Sequence, residues 1–168
     1  MKTTKDWHSS QRGWFGGSLY LEMEKDRNIW LLVGDLGYKV FDKHFKDFPE
    51  RVINVGASEQ SMLDIAVGLA LEGKTAIAYS ITPFLIYRAF ETVRTYIDHE
   101  KIPVKLIGSG QGKDYAHDGY SHDATDIPAF MKQFKNIKSF YPKKKEEIPA
   151  LVTKMITDPE PYFINLKR

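Results

Sequence analysis

Glu59 is the residue whose setting first calls for a chemical explanation. It stands in Asn54-Val55-Gly56-Ala57-Ser58-Glu59-Gln60-Ser61-Met62, where a strand-like apolar run gives way to a helix-like one. Two readings are open. In one, Ser58 caps the helix and Glu59 sits in its first turn, favoured by the helix dipole. In the other, the carboxylate is partly buried, its charged form is poorly solvated, and it can share a proton with a ring nitrogen near neutral pH. His122, in Asp118-Gly119-Tyr120-Ser121-His122-Asp123, is the second candidate. A loop histidine is commonly a solvated bystander, but a long polar loop in a compact domain is more often functional than idle. His117 and His122 lie among Asp114, Asp118, Asp123 and Asp126. Their spacing matches no helix-borne metal motif, and turn chemistry accounts for the acids. Gly108, Gly110 and Gly112 lack the Lys-Ser or Lys-Thr ending of a phosphate loop. Phe84, Tyr87 and Phe90 read most simply as core residues at helical spacing. Only Phe84 and Tyr87 stand close enough to a strand end to form a stacking platform. The chain has no cysteine, so thiolate chemistry and Cys-ligated metals are excluded. No Ser-His-Asp order or nucleophile elbow appears either.

The elements that must position these residues follow from hydrophobic periodicity. Residues 14–26 read as a helix and 29–33 as a short, continuously apolar strand ending in Gly34-Asp35-Leu36-Gly37. A second strand is expected at 51–55, then a helix at 58–71 with Met62, Ile65, Ala66, Leu69 and Ala70 on one face and Gly73 as its stop. A strand at 75–79, an amphipathic helix at 84–97 and a strand at 103–107 precede the polar loop 108–124. Strands at 136–141 and 162–166 flank a helix at 145–157. This alternation predicts an α/β fold: a doubly wound, mostly parallel sheet of about six strands with helices on both faces. Ligands of such sheets lie beyond the carboxyl ends of the strands, which singles out 35–38, 56–60, 80–87 and 108–122.

Composition sets the class. The 168 residues carry 24 Lys and Arg against 22 Asp and Glu, a net charge of +2, too balanced for nucleic-acid binding by bulk charge. The polar start at residues 1–12 has no apolar core of a signal peptide, and no stretch approaches the roughly 18 apolar residues of a membrane span. Absence of cysteine fits a reducing, cytoplasmic setting.

Taken together, the segments resemble the pyrimidine-binding domain of the transketolase family. The resemblance is carried by Phe48-Pro49-Glu50-Arg51-Val52-Ile53-Asn54-Val55-Gly56-Ala57-Ser58-Glu59-Gln60-Ser61-Met62 and by Gly68-Leu69-Ala70-Leu71-Glu72-Gly73-Lys74. It continues through Phe84, Arg88-Ala89-Phe90-Glu91-Thr92-Val93-Arg94 and Pro103-Val104-Lys105 to Asp118-Gly119-Tyr120-Ser121-His122. Residues 29–168 are the expected domain, with 1–28 as an N-terminal helical segment packed on it. The resemblance implies thiamine diphosphate as cofactor. Glu59 would bond N1′ of its aminopyrimidine, so that the exocyclic nitrogen can take the proton from C2 of the thiazolium. It also implies that Phe84 stacks on the aminopyrimidine, that Tyr87 borders it, and that Asp35 lies beside the thiazolium. His122 and Asp118 match positions that bond sugar hydroxyls, and His122 counts with Glu59 as catalytic. Ser109 falls near a further substrate position. Tyr120 and Ser121 replace the family's usual proline and threonine, and Tyr141 stands roughly where an arginine grips the acceptor phosphate.

The family binds the diphosphate through Mg2+ on a second domain whose Gly-Asp-Gly…Asn signature this sequence lacks; Gly34-Asp35-Leu36-Gly37 does not match it. The expectation is therefore a split enzyme. This chain would supply the pyrimidine side, and a separately encoded diphosphate-binding subunit the rest and the Mg2+, with two copies of each. The substrate would be a phosphorylated or nucleotide-linked sugar, and the reaction transfer of a ketol or acyl unit. Two alternatives stand beside it: a noncatalytic paralogue with a structural or regulatory role, and the beta-like component of a 2-oxoacid dehydrogenase.

Overall fold

A computed structural model describes residues 9–168. Residues 1–8, the first part of the expected N-terminal segment, lie outside the described residues. The chain opens on α1 (Gln11–Lys25), which begins earlier than periodicity predicts because the Ser10 hydroxyl accepts a hydrogen bond from the Gly13 N–H at 3.1 Å. Phe15, Leu19 and Met23, each four residues apart, are fully buried on its inner face. There follow β1 (Ile29–Val33), α2 (Asp42–Asp47), β2 (Val52–Asn54), α3 (Glu59–Leu71) and β3 (Thr75–Ile81). After a helical segment at 84–99 come β4 (Lys105–Ser109), α5 (Ile127–Met131), β5 (Lys138–Phe140), α6 (Ile148–Thr157) and β6 (Tyr162–Leu166).

The six strands are all parallel, in the order β2-β1-β3-β4-β6-β5. One face is covered by α1 and α6, whose side chains meet Ile29, Leu31, Ile77 and Ile164. The other is covered by α3, the helical segment after β3, and α5, packed on Leu32, Ala76, Ala78 and Leu106. The predicted doubly wound sheet is thus the observed one, and α1 is an integral part of its first layer. β2 and β5 are three residues each, shorter than the apolar runs suggest, and both are edge strands. Helices α2 and α5, six and five residues long, do not follow from the sequence pattern: elements so short leave no periodic signal. Residues 145–157 divide into a 3₁₀ turn (Lys145–Glu147) and α6, with Pro149 in the first turn of α6.

Two packing expectations need correction. On α3 the buried face is Met62, Leu63, Ala66, Val67 and Ala70, while Ile65 is exposed. The predicted single amphipathic helix at 84–97 consists of two π-helical stretches, Phe84–Arg88 and Val93–His99, around a short α-helical turn, α4 (Phe90–Thr92). The wider turns bury Leu85, Ile86, Ala89, Val93 and Ile97 and leave Tyr87 and Phe90 part-exposed, so these two are not core residues. Among the described residues no helix is long and apolar enough to cross a membrane.

Candidate active site

Strand order reverses between β1 and β3, which opens a crevice at their carboxyl ends. Glu59, the first residue of α3, is directed into that crevice and is 2% exposed. Its Oε1 accepts a hydrogen bond from Ser80 Oγ at 2.8 Å, and its Oε2 pairs with Nη1 of Arg88 at 2.8 Å. Ser58 occupies the N-cap position and Glu59 the first turn, as the capping reading expects, but Ser58 makes no side-chain capping bond and the Glu59 carboxylate is buried, as the second reading expects. A carboxylate offers about four acceptor positions, of which two are taken, so Glu59 retains capacity for a further donor.

Gly34 closes the crevice from behind. A Cβ there would lie 3.0 Å from Ser80 Oγ and 3.4 Å from Glu59 Oε1. Beside it, Asn54 ties the exits of β1 and β2 together. Its Oδ1 accepts from the backbone N–H groups of Asp35 and Gly56 at 3.1 and 3.0 Å, and its Nδ2 donates to Asp35 Oδ1 at 3.3 Å. This clasp holds Asp35 at a φ of 55° on the exposed rim.

The first π-helical stretch brings Phe84 and Arg88 to the same place. The Arg88 guanidinium lies 3.7 Å from the Phe84 ring centroid, and the His122 ring meets Phe84 edge-on at 4.7 Å. Glu59, Phe84 and His122, widely separated in sequence, thus converge through Arg88. His122 is steadied by Ser121 Oγ, 3.0 Å from its Nδ1, with Tyr115 6.3 Å away ring to ring. Gly110, at a φ of 92°, allows Tyr115 to lie against the loop, because a Cβ there would come within 2.5 Å of the tyrosine ring. Tyr87 and Tyr120 line an adjoining cavity of about 280 Å³ with Pro83, Ser121, Asp123, Thr125 and Asp126. Burial, then the Asp126 carboxylate, pushes the Tyr87 hydroxyl well above the ordinary tyrosine range.

Two sequence candidates lie apart from this group. Asp118 is exposed and pairs with His117 at 3.2 Å. Ser109 is fully buried on the α1 side of the sheet, where its hydroxyl lies 2.8 Å from the Tyr115 hydroxyl, which also accepts from Arg12 at 3.2 Å. A side chain in that layer does not open onto the crevice, so the expected substrate contact of Ser109 is not supported by its position. Among the described residues no three His, Asp or Glu side chains converge in a metal-ligating cluster. Sequence reasoning assigns no role to Gly34, Ser80 or Arg88. The available signals are a lone serine near the end of an apolar strand, a glycine at a strand exit, and a cation four residues beyond Phe84.

Comparison with known proteins gives the same picture. Residues 10–168 match the family model described as the transketolase pyrimidine-binding domain. The chain is 37% identical over 121 residues to an apulose-4-phosphate transketolase subunit of Actinobacillus succinogenes, a match covering 72% of this chain and 39% of that protein. It is 27% identical over 146 residues to the 6-deoxy-6-sulfo-D-fructose transketolase subunit SqwH of Clostridium sp. (strain MSTE9), covering 86% and 45% respectively. Among solved structures, a split gene transketolase described as an inactive beta4 tetramer superposes with a TM-score of 0.84 at 30% identity, covering 96% of this chain and 52% of that one. The chain therefore spans about half or less of the length of these relatives. With nearly every described residue inside the family match, this chain belongs to the transketolase family as a pyrimidine-binding domain.

Proposed function

We propose that the chain is the pyrimidine-binding subunit of a split, thiamine-diphosphate-dependent transketolase-like transferase. It would work with a separate diphosphate-binding chain that carries the Mg2+, two copies of each, on phosphorylated or nucleotide-linked sugars. The observation that carries this reading is the buried Glu59 carboxylate, fixed by Ser80 at 2.8 Å and joined through Arg88 to the Phe84 ring. The residues fit the cofactor's pyrimidine end: an acid with spare acceptor capacity stands beside a half-buried aromatic ring in an open crevice. The names of the relatives support the division of labour, one being called a transketolase subunit and another an inactive tetramer of beta chains.

When bound, thiamine diphosphate supplies the electron sink that lets a carbon–carbon bond next to a carbonyl be broken and remade. The chain's own residues prepare that chemistry. Ser80 fixes Glu59 Oε1, and Oε2, which pairs with Arg88 in this structure, is the oxygen that would hold or share a proton at N1′ of the aminopyrimidine. Phe84 offers a stacking face, and Tyr87 borders it. Asp35 on the rim would face the thiazolium end. His122, held between Phe84 and Ser121, would bond the donor's hydroxyls, with Asp118 on the exposed side of the same loop as a second hydroxyl partner.

The test is Glu59→Gln in the assembled pair. It should preserve the fold, since the amide keeps the shape and accepts from Ser80, while lowering ketol transfer by about a hundredfold or more. Near-normal turnover of the loaded variant would sink the assignment.

A further inference from the structure

Arg88 makes two central contacts in the crevice, and the function proposed above gives it no chemical role of its own. Its Nη1 donates to Glu59 Oε2 at 2.8 Å, and its guanidinium lies 3.7 Å from the Phe84 centroid. A guanidinium is planar, donates N–H bonds and stacks on aromatic faces. An aminopyrimidine that donates to Glu59 and stacks on Phe84 asks for the same two contacts. We infer that Arg88 is a placeholder for the cofactor's pyrimidine ring: the two are mutually exclusive occupants of Glu59 Oε2 and the Phe84 face, and loading requires Arg88 to swing out. This inference rests on the function proposed above.

The surroundings determine which partner moves. Glu59 is pinned by Ser80 and backed by Gly34, and its side chain is 2% exposed. The Arg88 side chain is 45% exposed, so its long stem can rotate into solvent without opening the core. The arrangement also has a physical purpose. A buried carboxylate with no counterion is strongly destabilising, and Arg88 supplies the counterion. While Arg88 is seated, Glu59 Oε2 is committed to an ion pair and is closed to the ring nitrogen. Once Arg88 leaves, that oxygen is free to bond it. Arg88 is therefore a positioning residue that sets when Glu59 becomes competent.

The experiment uses Arg88→Ala and Arg88→Lys in the full chain, alone and assembled with its diphosphate-binding partner. Calorimetric titration of the assembly with thiamine diphosphate and Mg2+ gives Kd. Removing a competing occupant should tighten Kd by about three- to tenfold in Arg88→Ala, with Arg88→Lys between it and the parent. In the chain alone, Arg88→Ala should lower Tm, and adding Glu59→Gln should restore much of the loss because no buried charge is then left unpaired. A Kd that weakens or stays unchanged in Arg88→Ala, while Glu59→Gln and Phe84→Ala weaken binding, overturns the placeholder and leaves the functional reading standing. If Glu59→Gln and Phe84→Ala also leave Kd unchanged, the pyrimidine site itself is misassigned and both fall.

Discussion

Glu59 depends on what stands behind it as much as on its own carboxylate. Ser80 is fully buried and gives its only proton to Glu59 Oε1, and Gly34 leaves just enough room for that bond. Adding a methyl group in Gly34→Ala should therefore push the serine and the carboxylate apart. The expected result is a stability loss of about 1–3 kcal/mol by denaturant titration, as for other overpacked sites, and a larger proportional loss of transfer activity. Ser80→Ala leaves more space but removes the bond. A loss of about 1–3 kcal/mol is expected there, because a buried charged acceptor loses a donor. Activity unaffected by either change would mean that Glu59 does not need to be held. At this scale the sequence is half legible. Glu59, Phe84 and His122 stand out by type and place, and the structure brings all three together. Ser80, Gly34 and Arg88 have meaning only as neighbours of Glu59, and such neighbours meet across the fold, beyond the reach of local spacing.

Elements show the same division between what repeats and what does not. The central strands β1, β3, β4 and β6 are continuous apolar runs, and they appear within a few residues of where periodicity puts them. The π-helical stretches after β3 do not follow from a 3.6-residue pattern, although they deliver Phe84 and Arg88 to Glu59. The α1–α2 layer holds another feature hidden from pattern reading. His44 is 2% exposed, packed edge-on against Tyr20 and Phe41. Burial pushes its imidazole down to about 4, with the Gly16 backbone opposing the shift. The unfolded chain therefore binds this proton more readily than the folded one. Stability from neutral His44 is complete above about pH 6.5 and should be lost as pH falls toward about 4, by a few kcal/mol in all. Replacing His44 with Phe should flatten that slope in urea titrations between these pH values. An unchanged slope would place the acid sensitivity elsewhere.

The molecule as a whole suits one side of a shared cofactor site. Its parallel sheet, with the strand-order reversal between β1 and β3, sets Glu59, Phe84, Arg88 and His122 along one open edge. Its net charge of only +2 gives little long-range steering by bulk charge, so assembly would rest more on shape and apolar contact. The most direct test is to mix the chain with its diphosphate-binding partner and follow ketol transfer from a sugar phosphate donor as thiamine diphosphate and Mg2+ are titrated in. Transfer should require both chains, saturate with cofactor and be absent from either chain alone. Tight cofactor binding and full turnover by this chain without the partner would contradict a site divided between two chains.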